Sequence, residues 1–376
     1  MSVSALAQLA DAKACPRLVL KVGSSLLVEG GEVRAAWLTS LAQDIAQLRA
    51  GGQQVVVVSS GAIALGAARL KLARGGRGSL ADAQAAASVG QIALAGLWSQ
   101  ALGAHGLIAA QMLLTLEDLE DRRRYLNASA TFERLLEAGA VSVVNENDSV
   151  ATEEIRFGDN DRLAARVAQV AGAHAVLLLS DVDGLYDRDP HGPGARLIPR
   201  VEGVTDEVMA MASAASSSGL GSGGMTSKLQ AARIAERAGI ALAIVNGTHR
   251  SPIAKAIASG TGTLFVPQRN STARQAWLGG RLAPSGVLTV DEGCASALAG
   301  GASLLAAGIT EVARNFVRGD LVTIHSAKGD RLAQGLVEYS ATECRAIAGR
   351  KAGEQAGLLG YAPRSAVVHR DHMVLL

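Results

Sequence analysis

Aromatic residues make up only 3% of this 376-residue chain, its formal net charge is only +2, and it has just three cysteines. Each shortage excludes something. A charge so close to zero gives no electrostatic footprint for nucleic acid or an anionic membrane surface. Cys15, Cys294 and Cys344 are an odd number without metal-like spacing, as expected of a reduced, cytoplasmic protein. No apolar run approaches the roughly 20 residues needed to cross a bilayer. The opening MSVSALAQLADAKACPR lacks the sustained apolar core of a signal peptide. We expect a soluble chain with no membrane partner.

What is present is glycine (43 residues) and a 49% apolar fraction. That mixture suits an α/β protein with close helix–sheet packing, and the length suggests two or three domains. Strands are predicted at 18–22, 55–58, 141–144, 175–179 and 242–245. Helical segments are predicted at 80–103, 119–138, 161–171 and 226–238. Such alternation implies a parallel sheet with helices on both faces, whose ligands bind at the carboxyl ends of strands. Those ends are Gly23–Ser25, Ser59–Gly61, Asn145–Asp148 and Ser180–Asp183. The pattern changes beyond Phe265. A linker at 271–284 separates a first domain, 1–270, from a compact domain at 285–376. Short strands are expected there at 287–290, 321–325 and 336–339.

Three features carry candidate chemistry. Residues 219–228, GLGSGGMTSK, contain Gly-x-Gly-x-x-Gly. A dinucleotide-binding turn needs a strand before it and an acidic residue about 20 positions on, and neither is present. A P-loop needs Lys directly after the last glycine, where Met225 stands. A solvated Gly/Ser linker is the plain alternative. However, Ser222, Gly223, Gly224, Met225, Thr226 and Ser227 run straight into a helix holding Lys228. Backbone N–H groups at a helix start beside an ammonium suit a phosphate. The second feature, NENDSVATEEIRFGDND at 145–161, lacks EF-hand spacing, and Asn/Asp clusters are commonly ordinary turns. Its place at a strand end suits an α-amino acid, with carboxylates for the ammonium and amides for the carboxylate. The third is Lys21, at a strand end beside Gly23-Ser24-Ser25 and so placed to meet a phosphate.

In order along the chain, VLKVGSS, VVVVSSGAIALG (55–66), VGQ (89–91), QMLLT (111–115), NENDSVATEEIRFGDND, LLLSDVDGLY (177–186), GLGSGGMTSKLQAA and GTLF (262–265) form a specific set. This set resembles the amino acid kinase superfamily. Within it, the likeness is to the branch that phosphorylates the γ-carboxylate of L-glutamate with ATP at the start of proline biosynthesis. The tail from VDEGCASALAGG to AVVHRD resembles a PUA domain. The resemblance implies a parallel-sheet α/β sandwich of the amino acid kinase type, plus a small, mixed, β-rich PUA-like domain. It implies that Lys21 and Lys228 contact the transferred phosphoryl group and that Asp161 orients them. Ser60, Asp148 and Asn160 would hold glutamate. Ser180, Asp181 and the loop Ser222–Lys228 would hold ATP, which brings its own Mg²⁺, with no protein metal site. It also implies feedback inhibition by proline, a homo-oligomer (dimer or tetramer), and contact with glutamyl phosphate reductase.

The charges agree with that chemistry. Two like unit charges about 4 Å apart repel by roughly 4 kcal/mol at an effective dielectric near 20. Bringing a carboxylate to a triphosphate therefore needs cations, while no general base is needed for an acceptor already ionised at neutral pH. Related kinases acting on aspartate, N-acetylglutamate, carbamate or a nucleotide monophosphate are the nearest alternatives. RNA binding through the tail is a different class, but Lys/Arg and Asp/Glu nearly balance there, so nucleic acid is not the expected partner.

Overall fold

The computed structural model describes residues 3–150, 159–190, 192–214, 224–268 and 284–376. The chain divides into two compact units, Met1–Leu119 with Ala128–Arg269, and Glu120–Asn127 with Asn270–Leu376.

Along the chain, β1 (Arg17–Val22) leads into a one-turn helix α1 (Ser24–Leu27) and a small hairpin, β2 (Val28–Glu29) and β3 (Glu32–Val33). Next come α2 (Ala35–Ala50), β4 (Gln54–Ser59), α3 (Ala62–Leu70), α4 (Leu80–Gly103) and β5 (Ala109–Leu114). Then follow α5 (Leu116–Glu120), α6 (Arg122–Glu137), β6 (Val141–Glu146), α7 (Asp159–Val170) and β7 (Ala175–Ser180). The run closes with β8 (Arg200–Glu202), α8 (Asp206–Ala214), α9 (Met225–Arg237), β9 (Ala241–Asn246), α10 (Pro252–Ser259) and β10 (Thr263–Val266).

The eight strands of the sheet lie in the order β5-β6-β4-β1-β7-β9-β10-β8. Neighbours are parallel except β9 and β10. The buried, mostly apolar strands expected of a sheet covered on both faces are the central ones, β4, β1, β7 and β9, with Lys21 the buried charge in β1. Successive residues of a strand point to opposite faces. Leu18, Leu20 and Val22 therefore enter one core, with Leu41 of α2, Trp98 of α4 and Ile253 of α10. Lys21 is left facing the other way, the side on which α7 crosses β1.

One close approach needs glycine. A Cβ on Gly66 would lie 1.8 Å from the carbonyl oxygen of Ala86, and one on Gly90 would lie 1.7 Å from that of Ala62. Backbone therefore meets backbone where α3 crosses α4. Among the described residues, no helix is long and apolar enough to cross a membrane.

The second unit holds a five-stranded sheet. Its strands are β11 (Gly286–Val290), β12 (Ile309–Ala313), β13 (Leu321–Ser326), β14 (Arg331–Leu336) and β15 (Met373–Leu375), in the order β12-β11-β13-β14-β15. Leu288, Val322, Ile324, Tyr339 and Cys344 fill its core. The strand expected at 336–339 is displaced: β14 ends at Leu336, paired with Leu321. The residues after it turn toward Ser340, whose hydroxyl accepts from the Glu343 N–H while Glu343 accepts from the Ser340 N–H. That capping box starts the helix Ala341–Ile347 just beyond the run that suggested a strand. The expected linker at 271–284 lies outside the described residues up to 283.

Candidate active site

The site is built at the carboxyl ends of β4, β1 and β7. Here β1 has β4 on one side and β7 on the other, and the two are reached by crossovers of opposite direction. Lys21, one residue before the end of β1, is only 7% exposed. Its Nζ lies 2.6 Å from Oδ1 of Asp161, which is fully buried in the first turn of α7. The other carboxylate oxygen, Oδ2, accepts from Lys228 Nζ at 3.2 Å. Lys228 sits in the first turns of α9 and is 9% exposed. One carboxylate thus contacts two ammoniums. Two helix N-termini, those of α7 and α9, point their partial positive charge toward the same place.

The titration behaviour follows from that imbalance. Burial by itself would raise the Asp161 carboxyl, but Lys21 and Lys228 hold it below its ordinary value. Burial pushes the Lys21 ammonium down. Asp161 opposes this, Lys228 reinforces it, and Asp181 adds a weaker upward pull. Asp161 therefore does not restore the Lys21 ammonium to its ordinary value against burial and the neighbouring Lys228.

The residue before Asp161 faces a different partner. Asn160 Nδ2 donates to Ser60 Oγ at 2.6 Å and to Asn145 Oδ1 at 3.2 Å. Asn160 Oδ1 is buried and has no partner among the described residues. Ser60 follows β4, its N–H bonds the Val22 carbonyl at 3.0 Å, and Gly61 behind it takes φ +123°, which a side chain would disfavour. Asp148, in the turn after β6, is nearly buried and within electrostatic reach of Arg77, whose guanidinium burial pushes down and the Asp148 charge pulls back up.

On the far side of β1, Ser180 Oγ donates to Asp181 Oδ1 at 3.1 Å. The loop that follows is tied to the end of β9, where Asn246 Nδ2 donates to Asp183 Oδ1 at 2.9 Å. Gly224 caps α9 without a side-chain bond, leaving Met225, Thr226 and Ser227 to form its first turn. Ser222 and Gly223 lie outside the described residues, as do 151–158 of the acidic segment.

The structure therefore brings Lys21, Asp161 and Lys228 into direct contact, and Asn160 onto Ser60. It sets Ser180 and Asp181 at the end of β7. Asn145, expected at a ligand-binding strand end, joins the site, and so do Gln91 and Gln111, to which the sequence alone gives no role. The only signal for the two glutamines is membership of the segments VGQ and QMLLT.

This is the arrangement of a phosphoryl-transfer enzyme built on a parallel α/β sheet, and sequence comparison agrees. The model of the amino acid kinase family matches residues 16–246, and that of the PUA domain matches residues 286–356. The chain belongs to the amino acid kinase family. Curated relatives include the protein named glutamate 5-kinase from Novosphingobium aromaticivorans, 66% identical over 377 residues and covering 100% of both chains. Glutamate 5-kinases of Sphingopyxis alaskensis and Zymomonas mobilis are 60% and 54% identical. Each alignment covers 96% of this chain, and 98% and 92% of the relative.

Proposed function

We propose that the chain is a glutamate 5-kinase, transferring the γ-phosphoryl group of ATP to the γ-carboxylate of L-glutamate to give L-glutamyl 5-phosphate and ADP. This is the first step of proline biosynthesis. The observation that carries the reading is the pair Asn160–Asp161. Through adjacent residues, one turn of α7 joins a cluster of two lysines to a group of amides and a serine hydroxyl. A phosphate-binding pole and an amino-acid-binding pole are thereby held at fixed spacing.

In this reading Ser60, Asn160 and Asp148 hold glutamate. Ser180, Asp181 and the Ser222–Lys228 loop hold the nucleotide. Both oxygens of Asp161 already face lysines, so this carboxylate is engaged, and Mg²⁺ would arrive on ATP as part of the substrate. Lys21 and Lys228 lie on the transferring phosphoryl group and offset the charge that repels the acceptor carboxylate. A bond forms between a γ-carboxylate oxygen and the γ-phosphorus as the bridging P–O bond breaks, and ADP takes the electron pair. The acceptor enters ionised, since a glutamate side chain titrates at about 4.3. Asp161 thus orients lysines and accepts no proton.

The same reading carries a cytoplasmic setting, feedback inhibition by proline, a homo-oligomer of two or four chains, and delivery of the labile acyl phosphate to glutamyl phosphate reductase. A coupled ADP-release assay offered L-glutamate, L-aspartate, N-acetyl-L-glutamate and carbamate in turn tests the substrate. Turnover is expected with L-glutamate, and its absence there overturns the assignment.

A further inference from the structure

Two glutamines in family-like segments, Gln91 and Gln111, have no part in the reaction just described, yet the structure links both to the substrate pole. Gln91 Nε2 donates to Gln111 Oε1 at 3.2 Å. Gln91 Oε1 accepts from Asn145 Nδ2 at 2.9 Å, and Asn145 Oδ1 accepts from Asn160 Nδ2 at 3.2 Å. Asn160 Nδ2 also reaches Ser60 Oγ. The result is a continuous file of side chains from the edge strand β5, across α4 and β6, to α7 and the end of β4. Each carboxamide presents its NH₂ to the next oxygen, so all point in one sense.

We propose that Gln91 is a positioning residue for substrate recognition. By accepting from Asn145 it fixes the sense of the file, and so turns the Asn160 carboxamide with Oδ1 left over as an acceptor for the α-ammonium of the substrate. Donor and acceptor counts decide this. A carboxamide has one acceptor oxygen and one two-proton donor, and rotating it by half a turn exchanges them. Asn145 is 3% exposed and bonded at both ends, so its orientation dictates that of Asn160. Asn160 Nδ2 is spent on Asn145 and Ser60, which leaves Oδ1 as the buried atom without a partner. An acceptor left unpaired in a buried place is costly unless a ligand supplies a donor. The Ser60 hydroxyl accepts from Asn160, which leaves its proton for the α-carboxylate.

The position of Gln91 is itself built in. Its neighbour Gly90 abuts the carbonyl of Ala62, two residues after Ser60, at a spacing no side chain permits. Gln91 and Ser60 are therefore referred to one backbone crossing. Gln111, at the exposed end, completes the donor side of Gln91.

The proposal rests on the glutamate reading and is tested with the full chain and two variants. Gln91→Met keeps the length and loses both bonds. Gln91→Glu can only accept, so it locks the observed sense. For each, kcat, the KM for L-glutamate and for ATP, and the inhibition constant of glutarate, which lacks the ammonium, are measured. Gln91→Met is expected to raise the KM for L-glutamate about tenfold, the loss of one uncompensated hydrogen bond. The KM for ATP should stay within about twofold, and the preference for L-glutamate over glutarate should shrink by the same factor. Gln91→Glu should keep that preference. An unchanged KM for L-glutamate in Gln91→Met overturns the proposal. So does a rise shared equally by both substrates, or a Gln91→Glu variant as impaired as Gln91→Met. If the wild-type chain turns over and these signatures are missing, the proposal alone fails. A wild-type chain inactive on L-glutamate removes the substrate reading and the proposal with it.

Discussion

Lys21 and Lys228 meet across a single carboxylate, Asp161, whose two oxygens lie 2.6 Å and 3.2 Å from their ammonium nitrogens. The three side chains come from a strand and two helix starts, and each is at least nine-tenths buried. In the proposed reaction this arrangement supplies preformed, desolvated ammonium groups that need little reorganisation to meet a phosphoryl group.

Removing one of those charges tests its role in the transition state. Lys228→Ala is expected to lower turnover on the order of 10²-fold or more at saturating ATP and L-glutamate. A turnover number equal to wild type contradicts the assignment.

Acid should expose the Asp161 contribution to stability. Its carboxyl is held below its ordinary value of 3.8 by the two lysines. The ionised form is thus preferred in the fold, and the stabilisation is fully present above that ordinary value. It is lost as pH falls through the depressed value. Asp161→Asn removes the carboxylate that both buried ammoniums contact, a change that costs about 3–5 kcal/mol at neutral pH. Urea unfolding midpoints should therefore separate the two proteins at pH 7 and converge as pH drops below 3.8. A separation independent of pH would show that the ion pairs contribute nothing.

The crossing of α3 and α4 should tolerate no added methyl. Gly90→Ala places a carbon where the Ala62 carbonyl lies. Overpacking of that kind costs about 1–3 kcal/mol and more when backbone must move. A lowered thermal midpoint is expected, together with a raised KM for L-glutamate, because Gln91 shifts with its neighbour. A midpoint within a degree of wild type would mean that the helices separate freely.

At the substrate pole, Asp148→Asn should raise the KM for L-glutamate more than that for ATP, since it removes negative charge near the expected ammonium. Steady-state kinetics with each substrate varied in turn checks this. Equal changes in both constants would place Asp148 outside the glutamate site.

Much of the fold is legible in local physics. Apolar runs bounded by glycine or polar turns identify β1, β4, β6, β7 and β9, because strands buried on both faces must be apolar throughout. The edge strand β5 and the short β8 and β10 do not stand out as strands, because their composition is mixed and their burial partial or their length small. The strand expected at 336–339 is displaced to Arg331–Leu336, because the backbone pairing of β14 with β13 ends at Leu336 and the chain then turns toward the capped helix at Ser340.

The sequence by itself determined the α/β alternation, the strand ends where ligands gather, and the residue types suited to phosphate (Lys21 and Lys228) and to an α-amino acid (the Asn/Asp segment ending at Asp161). Side-chain period and charge are local properties, readable from a few neighbours. Only the tertiary structure decided that both lysines share one carboxylate and that Gln91 and Asn145 stand between the sheet edge and Asn160. It alone showed Gly66 and Gly90 to be two sides of one backbone contact. Those meetings depend on strand order and on helix crossings between residues far apart in the chain, and no local pattern encodes which distant side chains a crossover brings together.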